Sequence, residues 1–406
     1  MTTPSPATNS SERSTAATAA DKARMPKRRR TPVLLGAVVV ILIVVAIVAW
    51  GATSGGWFKP KSSNGGSCPS NPQALTGAGS TFVYPLMNTW TAQYAQQCNV
   101  DVNYQPVGSS TGITSLGSKA VDFGASDAPL SPVQRASLPG PTVTIPETSG
   151  GVVLLYNLPS VLGTVQLSGP VIAAMYLGTI TNWNDTRITS LNPGLSIPST
   201  PVLTVHRLDG SGTSFCFTSY LSAENSTWAS EYGRGLSVGW PGGEGAKGST
   251  GVAGIVGSIV GAIGYDEFAY AQLNHLTSAA IQNSVGNFIV ANQTNVQMAV
   301  QEGASALPSG TGDWYNVSLL NEPGAQTYPI VTFSYVMLFT DLNLVYGSSI
   351  TSTDADSLGH FLYWILTSGQ SYASGVFYVP LPANVVSADE LSLGQITYNG
   401  APISTH

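Results

Sequence analysis

Three times along this chain a β-rich stretch ends in a turn of glycine and hydroxyl residues that opens directly into helical spacing: GAGSTF at 77–82, GSSTG at 108–112 and DGSGTSF at 209–215. Strand, glycine turn and helix in repeated order predict α/β units with a mostly parallel sheet. ALTGAGS, from Ala74, reads as a strand, and TFVYPLMNTWTAQYAQQ as a helix with Leu86, Trp90 and Tyr94 on one face. Pro85 falls in its first turn, where proline is tolerated. VDVNYQPV, VDFGASD ending at Asp127, GGVVLLYNLP, VLTVHR, GAIGY and YPIVTFSYVMLF supply further β-rich stretches. ITSLGSKA predicts a short helix with Ile113, Leu116 and Ala120 on one face, SFCFTSYL another, and DSLGHFLYWILTSG an amphipathic one through Leu358, Phe361, Leu362 and Ile365. No fixed-period repeat is visible, and two α/β lobes account for 406 residues better than one large sheet.

Charge is scarce and unevenly placed. Only 9% of residues are charged, while glycine alone contributes 44. The surface must be polar mainly through hydroxyls and amides, and the Lys and Arg face that a nucleic-acid binder needs is missing. Residues 1–31 form a basic leader of seven Lys and Arg against Glu12 and Asp21; the remainder holds eight basic and 19 acidic residues, a net −11. Between them runs PVLLGAVVVILIVVAIVAW, Pro32 to Trp50, without a charge. At about 1.5 Å per residue such a run just spans a bilayer core of about 30 Å. Lys27, Arg28, Arg29 and Arg30 stand immediately before it, so the positive-inside bias predicts a single N-terminal transmembrane helix with everything after Trp50 outside. A cleavable signal is the competing reading, with Ala46 and Ala49 as small residues near a processing site; the long polar leader and long apolar run favour an uncleaved anchor. Residues 51–72 read as a flexible linker.

Three cysteines in an exported chain suit one disulfide and one free thiol. Cys68 precedes the first predicted strand and Cys98 the second, where parallel neighbours would bring them together, so these two are the expected pair. Cys216, inside SFCFTSYL, reads as a small buried hydrophobe. The four histidines are scattered and neither CxxC nor HExxH occurs, so no transition-metal site is expected.

The chemistry concentrates at the helix starts. A helix N-terminus presents unpaired N–H groups and about half a positive charge, and Ser or Thr there adds a hydroxyl. Any one such turn is as well explained by an ordinary cap; three of them in a chain so poor in cations point to an oxyanion site. Arg207 stands just before DGSGT, its guanidinium able to grip an oxyanion through parallel N–H donors, and Asp209 can hold the fork in place. Asp127 is the odd member, because a carboxylate repels an anion. It becomes useful when the ligand carries a proton: it accepts an O–H from protonated phosphate and meets only repulsion from fully ionised sulfate.

Together LTGAGSTFVYPL, YQPVGSSTGI, VDFGASDAPLS, YLGTITNWND, LNPG, HRLDGSGTSFCFTSYL and GAIGYDEFAYA resemble, in order from Ala74 to Leu391, the PstS family of extracytoplasmic phosphate-binding proteins of ABC phosphate importers. The resemblance implies a two-lobed type II periplasmic-binding-protein fold that closes about a hinge on dehydrated inorganic phosphate, with the importer's permease and ATPase subunits as partners and no cofactor. It implies one lobe from residues 73–147 and 326–395, the other from 148–325, hinges near 146–150 and 324–330, and a tail at 396–406. Carried over by motif, the ligand contacts are Thr81, Phe82, Ser109, Asp127, Arg207, Ser211, Gly212 and Thr213, with Asp209 orienting Arg207 and Ser110 as an extra contact. Val83 departs from the family, many of whose members have proline there, and the expected anchor departs from its usual lipid or cleaved signal.

Rival classes fare worse. WPGGEGAKGSTG lacks the Gly-Lys-Ser/Thr of a phosphate-binding P-loop, since Lys247 lies between Ala246 and Gly248, and reads instead as a loop near the cleft. A serine hydrolase using Ser211 or Ser80 has no GxSxG elbow and no placed histidine, His206 and Arg207 pointing to opposite faces of a strand. A surface receptor or adhesin that kept the fold without transport remains the alternative, with Asp127 and Arg207 arguing for retained ligand binding.

Overall fold

The computed structural model describes residues 68–406. The basic leader, the apolar run at 32–50 and the linker up to residue 67 lie outside the described residues. Among the described residues no helix is long and apolar enough to cross a membrane.

The eight principal strands are β1 (Leu75–Gly79), β2 (Val102–Pro106), β3 (Phe123–Ser126), β4 (Thr142–Tyr156), β5 (Leu203–Arg207), β6 (Glu244–Ala246), β7 (Ala262–Glu267) and β8 (Ile330–Phe339). They lie side by side in the order β2-β1-β3-β8-β4-β7-β5-β6 within a ten-stranded sheet, completed by Leu319–Leu320 on β8 and Thr277–Ser278 on β4. β1 is parallel to β2 and β3, and β5 is parallel to β6 and β7. The centre is antiparallel: β8 runs against β3 and β4, and β4 against β7. Two parallel α/β halves are thus joined through two long strands, a mixed α/β two-domain arrangement. β4 makes the passage most plainly, pairing with β8 from Thr142 to Gly151 and with β7 from Val152 to Tyr156.

All fifteen residues of β4 are buried, as a strand covered on both faces must be. It begins earlier than its GGVVLLY signal, because PETS hides a strand behind a proline. Ser334 pairs with Thr148 and Tyr335 with Pro146, which leaves Glu147 as an extra residue in a β-bulge. A bulge is where a strand interior accepts proline and where a side chain is re-aimed.

Helices α1 (Tyr84–Cys98), α2 (Ser109–Gly117), α3 (Gly212–Glu224), α4 (Gly248–Ser258), α5 (Phe268–Leu273) and α6 (Ser352–Leu366) start on or near the expected turns. α1 buries Leu86, Trp90 and Tyr94, and α6 buries Leu358, Phe361, Leu362 and Ile365. Two expectations need correction. Ala120 is exposed and beyond α2, which stops at Gly117: Lys119 adopts φ 63° and the amides of Lys119 and Ala120 turn back to Leu116 and Ser115, closing the helix end. WPGGEGAKGSTG is not a loop throughout, for Glu244–Ala246 forms the edge strand β6 and Gly248 opens α4. In the tail, Thr397–Tyr398 and Ala401–Pro402 form a hairpin about Asn399 and Gly400, both at positive φ as an Asn-Gly turn requires.

A disulfide joins Cys68 to Cys98 at the end of α1, and Cys216 is a buried free thiol. The bridge closes a loop 30 residues apart in sequence. Replacing both cysteines with alanine is expected to lower stability by about 2–4 kcal/mol, read as a drop in Tm by calorimetry that reductant reproduces in the parent protein.

Candidate anion-binding cleft

The motif turns lie just past the C-terminal ends of the parallel strands, where open α/β sheets place their ligands. β1 delivers Ser80, Thr81 and Phe82, the turn after β2 delivers Ser109 and Ser110 at the start of α2, and β3 ends beside Asp127. From the other half, β5 ends on Arg207, followed by Asp209 and by Ser211 at the start of α3, while β6 leads into Gly248 and Ser249 of α4.

The two sets meet across a narrow seam. The Gly212 N–H donates to Ser109 Oγ at 3.0 Å and the Ser110 N–H to the Gly210 carbonyl at 3.0 Å. Thr81 Oγ1 lies 3.0 Å from Ser249 Oγ and accepts the Ser249 N–H at 3.2 Å, while Thr213 Oγ1 reaches Asp127 Oδ2 at 3.5 Å. Gly212 is required by space: a Cβ there would stand 2.5 Å from the Asp127 nitrogen. Gly108 is required twice, by φ 96° and by Asp209 Oδ2 lying 2.4 Å from where its Cβ would be.

Donors dominate the lining. Arg207, buried in the cleft wall, donates from Nε to Asp209 Oδ1 at 2.9 Å and from Nη2 to Asp209 Oδ2, leaving Nη1 outside the pair. Asp209 Oδ1 also accepts the Gly248 N–H at 2.9 Å. Partial burial disfavours the Asp209 charge, yet the hydrogen bonds and charge of Arg207 hold its carboxyl below the usual range. The Arg207 backbone N–H donates to the Tyr265 hydroxyl, which lies 2.6 Å from Ser214 Oγ. Ser211 caps α3 by accepting the Ser214 N–H at 3.2 Å, and the first-turn amides of Gly212 and Thr213 have no partner within the helix, that of Gly212 bonding to Ser109 instead. Thr81 and Phe82 are pinned through their carbonyls, which accept the hydroxyls of Tyr270 and Tyr378.

Asp127 is the acceptor among these donors. Its Oδ1 takes the Ser80 hydroxyl at 2.5 Å and lies 3.1 Å from Ser334 Oγ. Burial pushes it up to about 6, against the pull of the Ser80 and Ser334 hydroxyls and of Arg207. Three further carboxyls are fully buried nearby. Burial pushes Asp266 up to about 7 and Glu147 to about 8, and lifts Glu267 well above the usual range. One oxygen of each, Glu147 Oε2, Asp266 Oδ2 and Glu267 Oε1, has no hydrogen-bond partner among the described residues.

All eight residues expected to touch a ligand, with Asp209 and Ser110, come together here. Ser249, Tyr265 and the buried acids Glu147, Asp266 and Glu267 do not stand out in the sequence, and Ser80 stands out there only within its turn and as a candidate nucleophile. Ser249 was legible, since GAKGST repeats the strand, glycine and hydroxyl grammar of the other helix starts; Glu147, behind Pro146 in an unrecognised bulge, carried no local signal.

Residues 66–368 match the model of the PBP superfamily domain. With the two-domain α/β architecture and its seam of helix starts, this defines the class as a periplasmic-binding-protein fold. The phosphate-binding protein PstS of Xylella fastidiosa is 36% identical over 324 residues, covering 78% of this chain and 84% of that protein. PstS of Haemophilus influenzae is 37% identical over 317 residues, covering 77% and 90%. A putative phosphate ABC transporter substrate-binding protein with bound phosphate from Clostridium perfringens shares the fold at TM-score 0.53 and 18% identity, covering 76% of this chain and 100% of that one. The chain belongs to the PstS family of phosphate-binding proteins.

The raised acids give a signed expectation for stability. Between their unfolded values near 4 and their folded values, the folded protein holds protons that the unfolded chain releases, so stability falls as pH rises. Tm is expected to be highest near pH 5 and to decline through about pH 8, as scanning calorimetry across that range will register. Gly212→Ala is expected to wedge α3 away from Asp127 and to weaken anion binding by at least about tenfold, measured by titration calorimetry with phosphate.

Proposed function

We propose that this protein captures inorganic phosphate outside the cytoplasm, in the cleft between its two domains, and delivers it to the permease of an ABC importer whose ATPase subunits power uptake. It is a binding protein and not an enzyme. The observation that carries the reading is Asp127, a buried carboxylate set among donors, which suits an anion bearing its own O–H. The ligand contacts are Thr81, Phe82, Ser109, Asp127, Arg207, Ser211, Gly212 and Thr213, with Asp209 orienting Arg207 and Ser110 adding a seam contact. Phosphate satisfies donors from both halves at once and so favours the closed arrangement. The lobes are residues 73–147 with 326–395, and 148–325; the bulged stretch of β4 at Glu147 supports a hinge at 146–150, and the chain entering β8 serves as the second. The apolar run at 32–50 anchors the protein to the membrane with the binding domains outside. Held by local donors against a net negative chain, phosphate gains no long-range steering.

Titration calorimetry of the full-length protein in detergent, freed of anion by a phosphate scavenger, is the test. One-to-one phosphate binding without a sulfate response is expected. Arg207→Ala is expected to weaken phosphate binding by roughly 100-fold or more, and Asp127→Asn to narrow the gap between phosphate and sulfate. Heat from sulfate equal to that from phosphate, or no heat from either, would overturn the reading.

A further inference from the structure

Ser334 stands between two acids. Its Oγ lies 3.1 Å from Asp127 Oδ1 and 2.9 Å from Glu147 Oε1, and all three residues are buried. A hydroxyl has one proton to give. It can donate to one of these carboxyls only, and the other contact is a hydrogen bond only if that carboxyl is itself a neutral acid donating to Ser334. Asp127 is the poorer candidate. Its Oδ1 already accepts from Ser80, whose own oxygen takes the amides of Phe82 and Val83, and Arg207 favours its charge. Among the described residues no cation acts on Glu147, and its Oε2 has no partner. The β-bulge that singles Glu147 out of the β4–β8 register is the means by which a strand turns a side chain from its ordinary face.

We propose that Glu147 is a positioning residue for phosphate selection: as a neutral acid it donates to Ser334, which donates to Asp127, keeping Asp127 ionised and aimed into the cleft as acceptor for a ligand O–H. The proposal rests on the phosphate reading above. The titratable groups facing Glu147 are Asp127 at the end of β3 and Tyr104 on β2. Asp127 is faced by Arg207 on β5 and by Asp266 and Glu267 on β7. Cys216 on α3, Tyr335 on β8, Tyr104 and Tyr378 also face it, and burial pushes each of these up, so they stay neutral in the working range. Asp266, pushed up to about 7, titrates alongside Glu147 and contributes equally to wild type and to Glu147 variants. Above the Glu147 midpoint, near 8, a second negative charge appears beside Asp127 and Ser334 is drawn away. Affinity for phosphate must then fall, by up to about tenfold per pH unit, the slope for one proton.

Phosphate titration calorimetry on full-length wild type, Glu147→Gln and Glu147→Leu from about pH 6 to about pH 9.5 tests this linkage. Glutamine keeps a donor toward Ser334 and cannot ionise. Dividing wild-type by Glu147→Gln affinities removes the ionisation of phosphate itself, and the ratio is expected to fall above pH 8. Glu147→Leu is expected to bind about five- to tenfold more weakly near neutral pH, with the Gln variant restoring affinity. A flat ratio, or equal losses in Leu and Gln, overturns the proposal; if the Leu variant does not fold, the ratio alone decides. Absence of phosphate binding by wild type would overturn the proposed function instead. The relay would then be judged by thermal melts, where wild type must lose more Tm than Glu147→Gln between about pH 7 and about pH 9, and equal losses overturn it.

Discussion

Arg207 carries a charge to a place where a lone charge cannot stay. Only 4% of its surface meets solvent, and an ion buried without a partner costs several kcal/mol. Asp209 meets it with a fork of two hydrogen bonds, and the Gly248 N–H fixes Asp209 in turn. The start of α4 and the end of β5 are therefore held in one geometry, and Tyr265 ties the same strand to α3 through Ser214. Because the carboxylate takes up only part of the guanidinium's donor set, the cation is fixed in direction and still able to bind. A site arranged in this way spends little reorganisation when an anion arrives.

The rest of the cleft answers an electrostatic difficulty. In the proposed site an anion enters a space backed by Asp127, Glu147, Asp266 and Glu267, all removed from water. Four ionised carboxylates there would repel it. Burial instead lifts all four pKa values, most of all where no cation stands near, so much of the acidity is masked by protons. Asp127 is lifted less than Asp266 or Glu147 because hydroxyls and Arg207 favour its charge. The low charge content of the sequence is thus matched by an interior where burial favours the neutral form of its acids.

Much of this was readable in one dimension. The turns into α1, α2 and α3, at Thr81, Ser109 and Ser211, announce themselves because a glycine turn between a β-rich run and helical spacing is a local pattern with a local cause. Arg207 and Asp209 stand out because cations are so rare. What the sequence did not disclose depends on contacts between distant segments. Glu147 and Ser334 are 187 residues apart and meet only because β4 and β8 pair with a bulge. Ala120 lost its place in the core to a helix end formed by Lys119, a residue whose left-handed backbone no periodicity foretells. Asp266 reads in GAIGYDEF as an ordinary strand-end acid, and only its burial makes it unusual.

The disulfide has a mechanical consequence. β1 is the first strand of the sheet and is zipped to both β2 and β3. Ordinarily, tension from the upstream chain would load that strand end-on and peel it away. Here Cys68 is fastened to Cys98 at the far end of α1 before β1 begins. A pull from upstream enters the fold through the sulfur bridge and is spread along the buried face of a fifteen-residue helix. The strand that presents Thr81 and Phe82 is thereby shielded from load.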